Sequence, residues 1–267
     1  MMEQTMKHTL YQQAQQWILE AGRLIKEKMD EPLEIMTKSS PKDLVTKMDK
    51  AVETFFLTKI GETYPSHKVL GEEGIGKAVS ETKGTVWIID PIDGTMNFVH
   101  QKSNFAISIG IVHEGVAEIG FVYNVMEDTL YHAMRNEGAY KGKRKLPMLP
   151  EKTLDQSIIE LNHFWLCPNR RVNEEKLQQL VYRAMGTRAY GSAALELAFL
   201  AEGITDAYLT FSLQPWDYAG GFVILREVGG KLTDAIGEPV DFLNRTTVVA
   251  ANSSIHQELI DDYIELK

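Results

Sequence analysis

Residues 85–95, Thr-Val-Trp-Ile-Ile-Asp-Pro-Ile-Asp-Gly-Thr, constrain the fold more than any other stretch of the chain. The apolar run from Val86 to Ile89 reads as a buried strand, and it drives straight into two acids, Asp90 and Asp93. Pro91 fixes φ between them, and Gly94 permits a tight backbone turn. Ionised carboxylates at the end of a buried strand are costly unless a cation compensates them. The pattern therefore aims Asp90 and Asp93 at a divalent metal. Ordinary turn chemistry is the competing explanation for Asp-Pro followed by Asp-Gly. Three further pieces favour the metal. Gly71-Glu72-Glu73 closes an apolar Val69-Leu70 step, Asp217 follows Trp216 at the mouth of a predicted helix, and Asp43 and Asp49 flank Val45-Thr46. Such an all-oxygen cage suits a hard cation such as Mg²⁺.

Around this strand the chain is predicted to build two unlike halves. Leu10, Ala14, Trp17, Ile18, Ala21, Leu24, Ile25 and Met29 repeat at helical spacing across residues 5–30. A polar loop, Thr37 to Lys42, leads to a second helix with Met48, Val52, Phe55 and Phe56 on its apolar face and Pro65 at its end. Strands follow at Lys68–Leu70, Thr85–Asp90, Phe105–Val112, Val116–Tyr123 and Thr129–Met134, so residues 1–146 read as two helices against a largely antiparallel sheet. The basic, proline-containing stretch Lys141–Pro150 is taken as the boundary. In residues 147–267 strands at Ser157–Leu161, Asp206–Phe211 and Thr246–Ala250 alternate with helices near Asn173–Met185, Ala193–Glu202, Tyr218–Val228 and Ile255–Ile264. That order suggests helices on both faces of a sheet.

The net charge of −9 argues against a general nucleic-acid binder. For an anionic substrate, bound cations would have to invert the local charge. The one cysteine, Cys167, excludes an intrachain disulfide and reads as an inert, half-buried thiol in a reducing compartment. No apolar run approaches the ~20 residues of a membrane span, and the N-terminus lacks a signal-peptide core. A cytoplasmic protein without membrane attachment is expected.

The segments Lys38–Thr46, Gly71-Glu72-Glu73, Trp87–His100 and Trp216-Asp217-Tyr218-Ala219-Gly220 resemble, in composition, order and spacing, the inositol monophosphatase family over nearly the whole chain. The resemblance implies an α+β fold, a five-layer αβαβα sandwich. It implies an Mg²⁺-dependent phosphomonoesterase that acts on inositol monophosphate by direct in-line attack of a water polarised by metal, with two or three Mg²⁺ per site. A small phosphorylated metabolite as substrate, a homodimer and lithium sensitivity follow from the same resemblance. The family pattern places Glu72, Asp90 and the Ile92 carbonyl at a first metal and Asp90, Asp93 and Asp217 at a second, with a weaker third site leaning on Glu72. Thr95, paired with Asp49, would orient the attacking water together with Glu72. For Asp49 a capping box, Thr46-x-x-Asp49, is the structural alternative; for Asp217 it is a helix N-cap.

Substrate contacts are expected from Asp93, Gly94, Thr95, Gly191, Ser192, Ala193, Thr210 and Asp217. Ser192 reads as an N-cap with free amides behind it, and Lys38 lies in a loop that the family brings near the metals. One position departs from the pattern. Seven residues before Asp217, inositol-specific members carry a Glu that binds ring hydroxyls, and here Thr210 stands there. A threonine offers one donor and short reach, so NADP(H), fructose bisphosphate or 3′-phosphoadenosine phosphate become alternative substrates. A covalent aspartyl-phosphate route is disfavoured because Pro91 occupies the nucleophile's position relative to Asp93. A regulatory partner role in transcription or translation lacks a basic stripe to support it.

Overall fold

The computed structural model describes residues 2–29, 35–37, 44–76 and 78–267. Lys38 and Asp43 lie outside them. In chain order the elements are α1 (Gln4–Lys28), β1 (Ile35–Thr37), β2 (Leu44–Thr46), α2 (Lys47–Thr63), β3 (Lys68–Gly71), β4 (Thr85–Asp93), α3 (Thr95–Gln101), β5 (Ala106–His113), β6 (Val116–Asn124) and β7 (Thr129–Met134). There follow β8 (Gly138–Lys141), β9 (Arg144–Lys145), β10 (Ile158–Leu161), α4 (Glu174–Arg183), β11 (Gly186–Arg188), α5 (Ala193–Glu202), β12 (Ala207–Leu213), α6 (Pro215–Glu227), β13 (Lys231–Thr233), β14 (Thr246–Ala251) and α7 (His256–Glu258).

Strands β3 to β9 lie side by side in chain order as a seven-stranded sheet, in which only β3 and β4 run parallel. A five-stranded sheet has the order β11-β10-β12-β14-β13, with β10 parallel to both its neighbours. Alternation along each strand divides the core into three clusters. In β4, Trp87 and Ile89 pack with α1 and α2, whereas Val86 and Ile88 pack with α5 and α6. In β14, Val248 and Ala250 face the same α5/α6 layer, and Val249 and Ala251 face away toward Leu177 and Leu180 of α4. Both sheets are therefore covered on both faces, which is why their strands read as continuous apolar runs. The layers, α1/α2, sheet, α5/α6, sheet, α4, make the five-layer α+β sandwich.

Helix α6 seats unusually close to the first sheet. A Cβ on Gly120 would stand 2.2 Å from the Gly220 carbonyl oxygen, and one on Gly110 would stand 2.5 Å from the Ala219 side chain. Glycine at these contacts lets the helix that begins at Pro215 bring its first turn against the acid-bearing end of β4.

The strand expected to stop at Asp90 instead runs through Pro91 to Asp93. Asp90 pairs with Ser108 and Asp93 with Ala106, so three steps on β4 oppose two on β5. This bulge carries one extra residue. In a regular strand, positions three apart point to opposite faces; the extra residue resets the phase, and both acids face the α5/α6 layer. Other expectations change at element ends. The stretch from Lys141 does not leave the sheet at once, since Arg144 and Lys145 form β9. Helix α6 starts at Pro215 rather than Tyr218. The helix expected over Ile255–Ile264 is one short α-turn followed by a π-helical turn, Leu259–Tyr263. Cys167 is exposed, not half-buried.

Candidate active site

The N-terminus of α6, the bulged end of β4 and the segment preceding α5 meet at one place. One oxygen from each of Asp90, Asp93 and Asp217 lies within 4.8 Å of the others. Each acid is oriented by donors from its surroundings. The Ile92 amide donates to Asp90 Oδ1 at 3.0 Å. The Ala194 amide donates to Asp93 Oδ2 at 2.9 Å, and the Ser192 hydroxyl donates to the same oxygen. The Gln214 amide donates to Asp217 Oδ2 at 2.8 Å, so Asp217 is the third residue of its helix in a capping box with Gln214, not the N-cap itself.

Burial holds the Asp90 carboxyl well above the usual carboxylate range, and the charges of Glu72, Asp93 and Asp217 add to the effect. Burial likewise pushes Asp93 up to about 7, although the bonds from Ser192 and Ala194 work against it. Asp217 is raised by burial and by Asp93, with Arg245 opposing. Converging acids under this like-charge strain fit a divalent cation, which would favour their ionised forms and use the oxygen lone pairs left after the backbone bonds. Glu72 stands beside them: its amide donates to the Ile89 carbonyl at 3.3 Å, which fixes it at the end of β3 against β4.

Thr95 opens α3 behind Gly94, whose φ of 90° lies in the left-handed region. A Cβ there would meet the Asn104 and Gly191 carbonyl oxygens and Ser192 at 3.2 Å, so glycine is required by both conformation and space. The Thr95 hydroxyl lies 3.1 Å from the Ile92 carbonyl oxygen and 3.3 Å from Asp49 Oδ1, and its one proton can serve only one of them at a time. Asp49 uses its other oxygen for the capping box, accepting from the Thr46 amide at 2.8 Å and the Thr46 hydroxyl at 2.5 Å. The two readings of Asp49 are thus compatible, one per oxygen. Burial raises the Asp49 carboxyl.

A cavity of about 370 Å³ opens from the acids and is lined by Asp93, Asp217, Gly191, Ser192, Ala193 and Thr210 together with Asn162, Phe164, Trp165, Tyr208 and Ser212. Ser192 does cap α5, accepting from the Leu195 amide at 3.3 Å. Of the amides behind it, Ala194 is committed to Asp93 and Leu195 to Ser192.

Two buried glutamates that sequence reasoning passed over hold the loops in place. Glu53 on α2 accepts from the Glu73 and Ile75 amides at 2.7 and 2.9 Å, which fixes the turn carrying Glu72. Glu196 on α5 accepts from the Tyr190 and Gly191 amides at 2.7 and 3.3 Å, which fixes the turn carrying Gly191 and Ser192. The available signal was an acid on an apolar helical stripe: Glu53 shares a face with Met48, Val52 and Phe56, and Glu196 interrupts the run Ala193–Leu200. Asn97 ties the parts together, donating to the Asn104 and Tyr190 carbonyls at 2.9 and 2.7 Å.

Comparison with known proteins matches residues 6–266 to the sequence model of the inositol monophosphatase family. The chain is 52% identical to the inositol-1-monophosphatase of Bacillus subtilis (strain 168) over 95% of its own length and 96% of that protein's. Among solved structures it is similar to SaIMPase-II with inositol monophosphate bound, with a TM-score of 0.87 and 46% identity over 96% of this chain and 93% of the other. It is also similar to an IMPase/NADP phosphatase complexed with Mg²⁺ and phosphate, with a TM-score of 0.88 and 27% identity over 96% and 95% of the two chains.

Proposed function

Because the chain belongs to the inositol monophosphatase family and is a phosphoric monoester hydrolase by that membership, we propose that it hydrolyses inositol monophosphate by direct in-line attack of water, with Mg²⁺ at the acidic cluster. The convergence of Asp90, Asp93 and Asp217 from two distant parts of the chain carries this reading. In it, Glu72, Asp90 and the Ile92 carbonyl would hold one ion, Asp90, Asp93 and Asp217 a second, and Glu72 would support a weaker third. When bound, these ions lower the pKa of water and neutralise charge on the phosphoryl group.

The chain's own residues supply position and proton handling. Thr95 gives its proton to the Ile92 carbonyl or to Asp49, so its oxygen lone pairs accept from the attacking water and orient it. Asp49, a stronger base than an exposed aspartate, and Glu72 take up proton density at that point. Gly94 and the amides near Thr95 face the phosphoryl oxygens, and Gly191, Ser192, Ala193, Thr210 and Asp217 meet the alcohol side. The attacking oxygen forms its bond to phosphorus as the ester oxygen leaves and is protonated, giving the free alcohol and orthophosphate. Both halves of the division proposed at 146/147 contribute.

NADP(H) is the second substrate reading, favoured by Thr210 on the cavity wall where a carboxylate would select inositol. A homodimer, a cytoplasmic setting and lithium inhibition belong to the same proposal; a LiCl-soaked inhibitory complex exists for staphylococcal inositol monophosphatase-1. Among the described residues, no helix is long and apolar enough to cross a membrane. Phosphate release, with Mg²⁺ and with EDTA, from inositol 1-phosphate, NADP⁺, fructose 1,6-bisphosphate and 3′-phosphoadenosine phosphate tests the function. Metal-dependent release with inositol 1-phosphate preferred is the expected result; preference for NADP⁺ would promote the second reading, and no release from any would defeat both.

A further inference from the structure

A second cavity of about 370 Å³, as large as the one at the acids, lies between α2 and β3. Leu57, Ile60, Val69 and Val79 give it apolar walls, and His67 and Lys68 supply its polar side. The His67 ring is locked in place. Buried Trp87 donates its indole N–H to His67 Nδ1 at 3.1 Å, and Tyr64 stacks on the ring with centroids 4.6 Å apart. An indole N–H can only donate, so Nδ1 is an acceptor and the imidazole is neutral with its proton on Nε2. The edge turned away from Trp87 is thus an oriented donor. Lys68 adds a cation. It pairs with exposed Glu81 at 3.0 Å, and Lys83 also acts on that carboxylate, so Glu81 keeps a cation when Lys68 turns to a ligand. Apolar walls with one neutral donor and one cation match a small apolar carboxylate, its chain on the walls and its oxygens at Nε2–H and the ammonium.

The cavity wall is continuous with the turn that carries Glu72. Glu53, Leu57 and Ile60 follow at i, i+4 and i+7 along one face of α2. Glu53 holds the Glu73 and Ile75 amides. Leu57 packs on Gly76, where a Cβ would stand 3.2 Å from its side chain and 3.3 Å from the Val69 carbonyl oxygen. The same segment then supplies Val79 to the wall. We propose that the α2/β3 cavity binds a small apolar carboxylate and that its occupancy stiffens the turn carrying Glu72. A ligand that braces Leu57, Val69 and Val79 binds the closed arrangement alone, and mass action then suppresses opening of the turn. Neither metal nor hydrolysis enters the proposal, so it is decided independently of the phosphatase reading.

Octanoate serves as the probe. Its chain protons should receive saturation from the protein in saturation-transfer NMR, and a titration gives the Kd. Lys68→Met keeps the apolar stem and should weaken binding about fivefold. Gly61→Trp fills the cavity from α2 and should abolish binding. A Cβ on Gly61 meets nothing within 4 Å, and tryptophan is a better helix former than glycine, so this variant should fold. With octanoate at about ten times its Kd, hydrogen exchange of the Glu73 and Ile75 amides should slow about tenfold. The Tyr190 and Gly191 amides, held by Glu196, should exchange as before. No transfer to octanoate, or unchanged binding in either variant, overturns the site. Unslowed exchange at Glu73 and Ile75, or equal slowing of both pairs of amides, overturns its coupling to the turn.

Discussion

Two kinds of buried carboxylate in the protein solve the cost of burial in opposite ways. Glu53 and Glu196 each face a pair of backbone amides and spend their lone pairs closing a loop. Asp90, Asp93 and Asp217 accept orienting bonds too, but they are turned toward one another, so like charge accumulates between them. The glutamates spend their acceptor capacity on backbone amides and become structural, although the charge of Glu196 still reaches Asp93 and Glu160. The aspartates concentrate it, and the site's capacity to hold cations is the consequence. Function here comes less from the presence of acids than from the direction in which the surrounding amides leave them facing.

The largest expected effect breaks the aspartate cluster. Asp90→Asn should reduce phosphate release on the order of 10³-fold. The fold should survive, with a metal-free melting temperature at or above wild type because repulsion is relieved. Mg²⁺ should raise the melting temperature of wild type but not of the variant. Near wild-type turnover would remove the cluster from the mechanism.

Thr95→Ala should cost about 100-fold in kcat with little change in KM, since water positioning matters in the transition state. Thr95→Ser keeps the hydroxyl and should recover most of the rate; a serine variant as slow as the alanine one would argue against the hydroxyl's role.

Cutting one of the loop-closing acids should act on stability first. Glu196→Ala leaves the Tyr190 and Gly191 amides without their acceptor, and urea denaturation should show a loss of about 1–3 kcal/mol. The displaced turn carries Ser192, so kcat/KM should fall roughly tenfold through misplacement. Glu196→Gln retains an acceptor oxygen and should keep most of both. If Glu196→Ala matched Asp90→Asn in activity and left stability unchanged, the distinction between the two kinds of acid would collapse.

Glu160 sharpens the comparison because it belongs to neither kind. It is fully buried beside Tyr208 in the β10/β12 pair, and neither of its oxygens has a hydrogen-bond partner among the described residues. Burial, then the charge of Glu196, holds its carboxyl well above the ordinary value of 4.5, with Asp206 adding to the effect. Asp206 itself pairs with Lys152 at 2.7 Å. A carboxyl whose folded pKa is raised favours folding while protonated. That contribution is complete below the unfolded pKa and is lost as pH rises toward the folded one. Glu160→Gln has no proton to lose, so its stability should match wild type near pH 4.5 and exceed it increasingly toward pH 8. Parallel curves across that range would show that Glu160 is compensated by a group that stays bound.

Much of the architecture was readable from local pattern. Helical spacing located α1 and α2, and the apolar runs located β4, β5, β6 and β14, because covering both faces of a sheet leaves a signature in each strand separately. The short strands β1, β2, β8, β9, β11 and β13 were missed; two to four residues hold too little periodicity to read. The π-helical end was missed because helical spacing does not distinguish it from an α-turn. At the site, the Trp-Ile-Ile-Asp-Pro-Ile-Asp-Gly-Thr segment, Asp217 and the Thr46/Asp49 pair drew attention through residue types at fixed local offsets. Glu53, Glu196 and Phe164 did not, since an acid or an aromatic on an apolar stripe has no distinctive partner until the fold supplies one.

By itself, then, the sequence determined the elements, the acids available and the hard-cation chemistry they suit, because propensity, patterning and ligand softness are properties of residues and their near neighbours. Only the tertiary structure decided which acids meet. The extra residue in β4 turns Asp93 to the side of Asp90, the glycine contacts of Gly110, Gly120 and Gly220 seat α6 so that Asp217 reaches them, and the Ser192 turn locks Asp93 from the far half of the chain. Each of these depends on groups distant in sequence occupying the same few ångströms, and such coincidence is settled by packing rather than by any local preference.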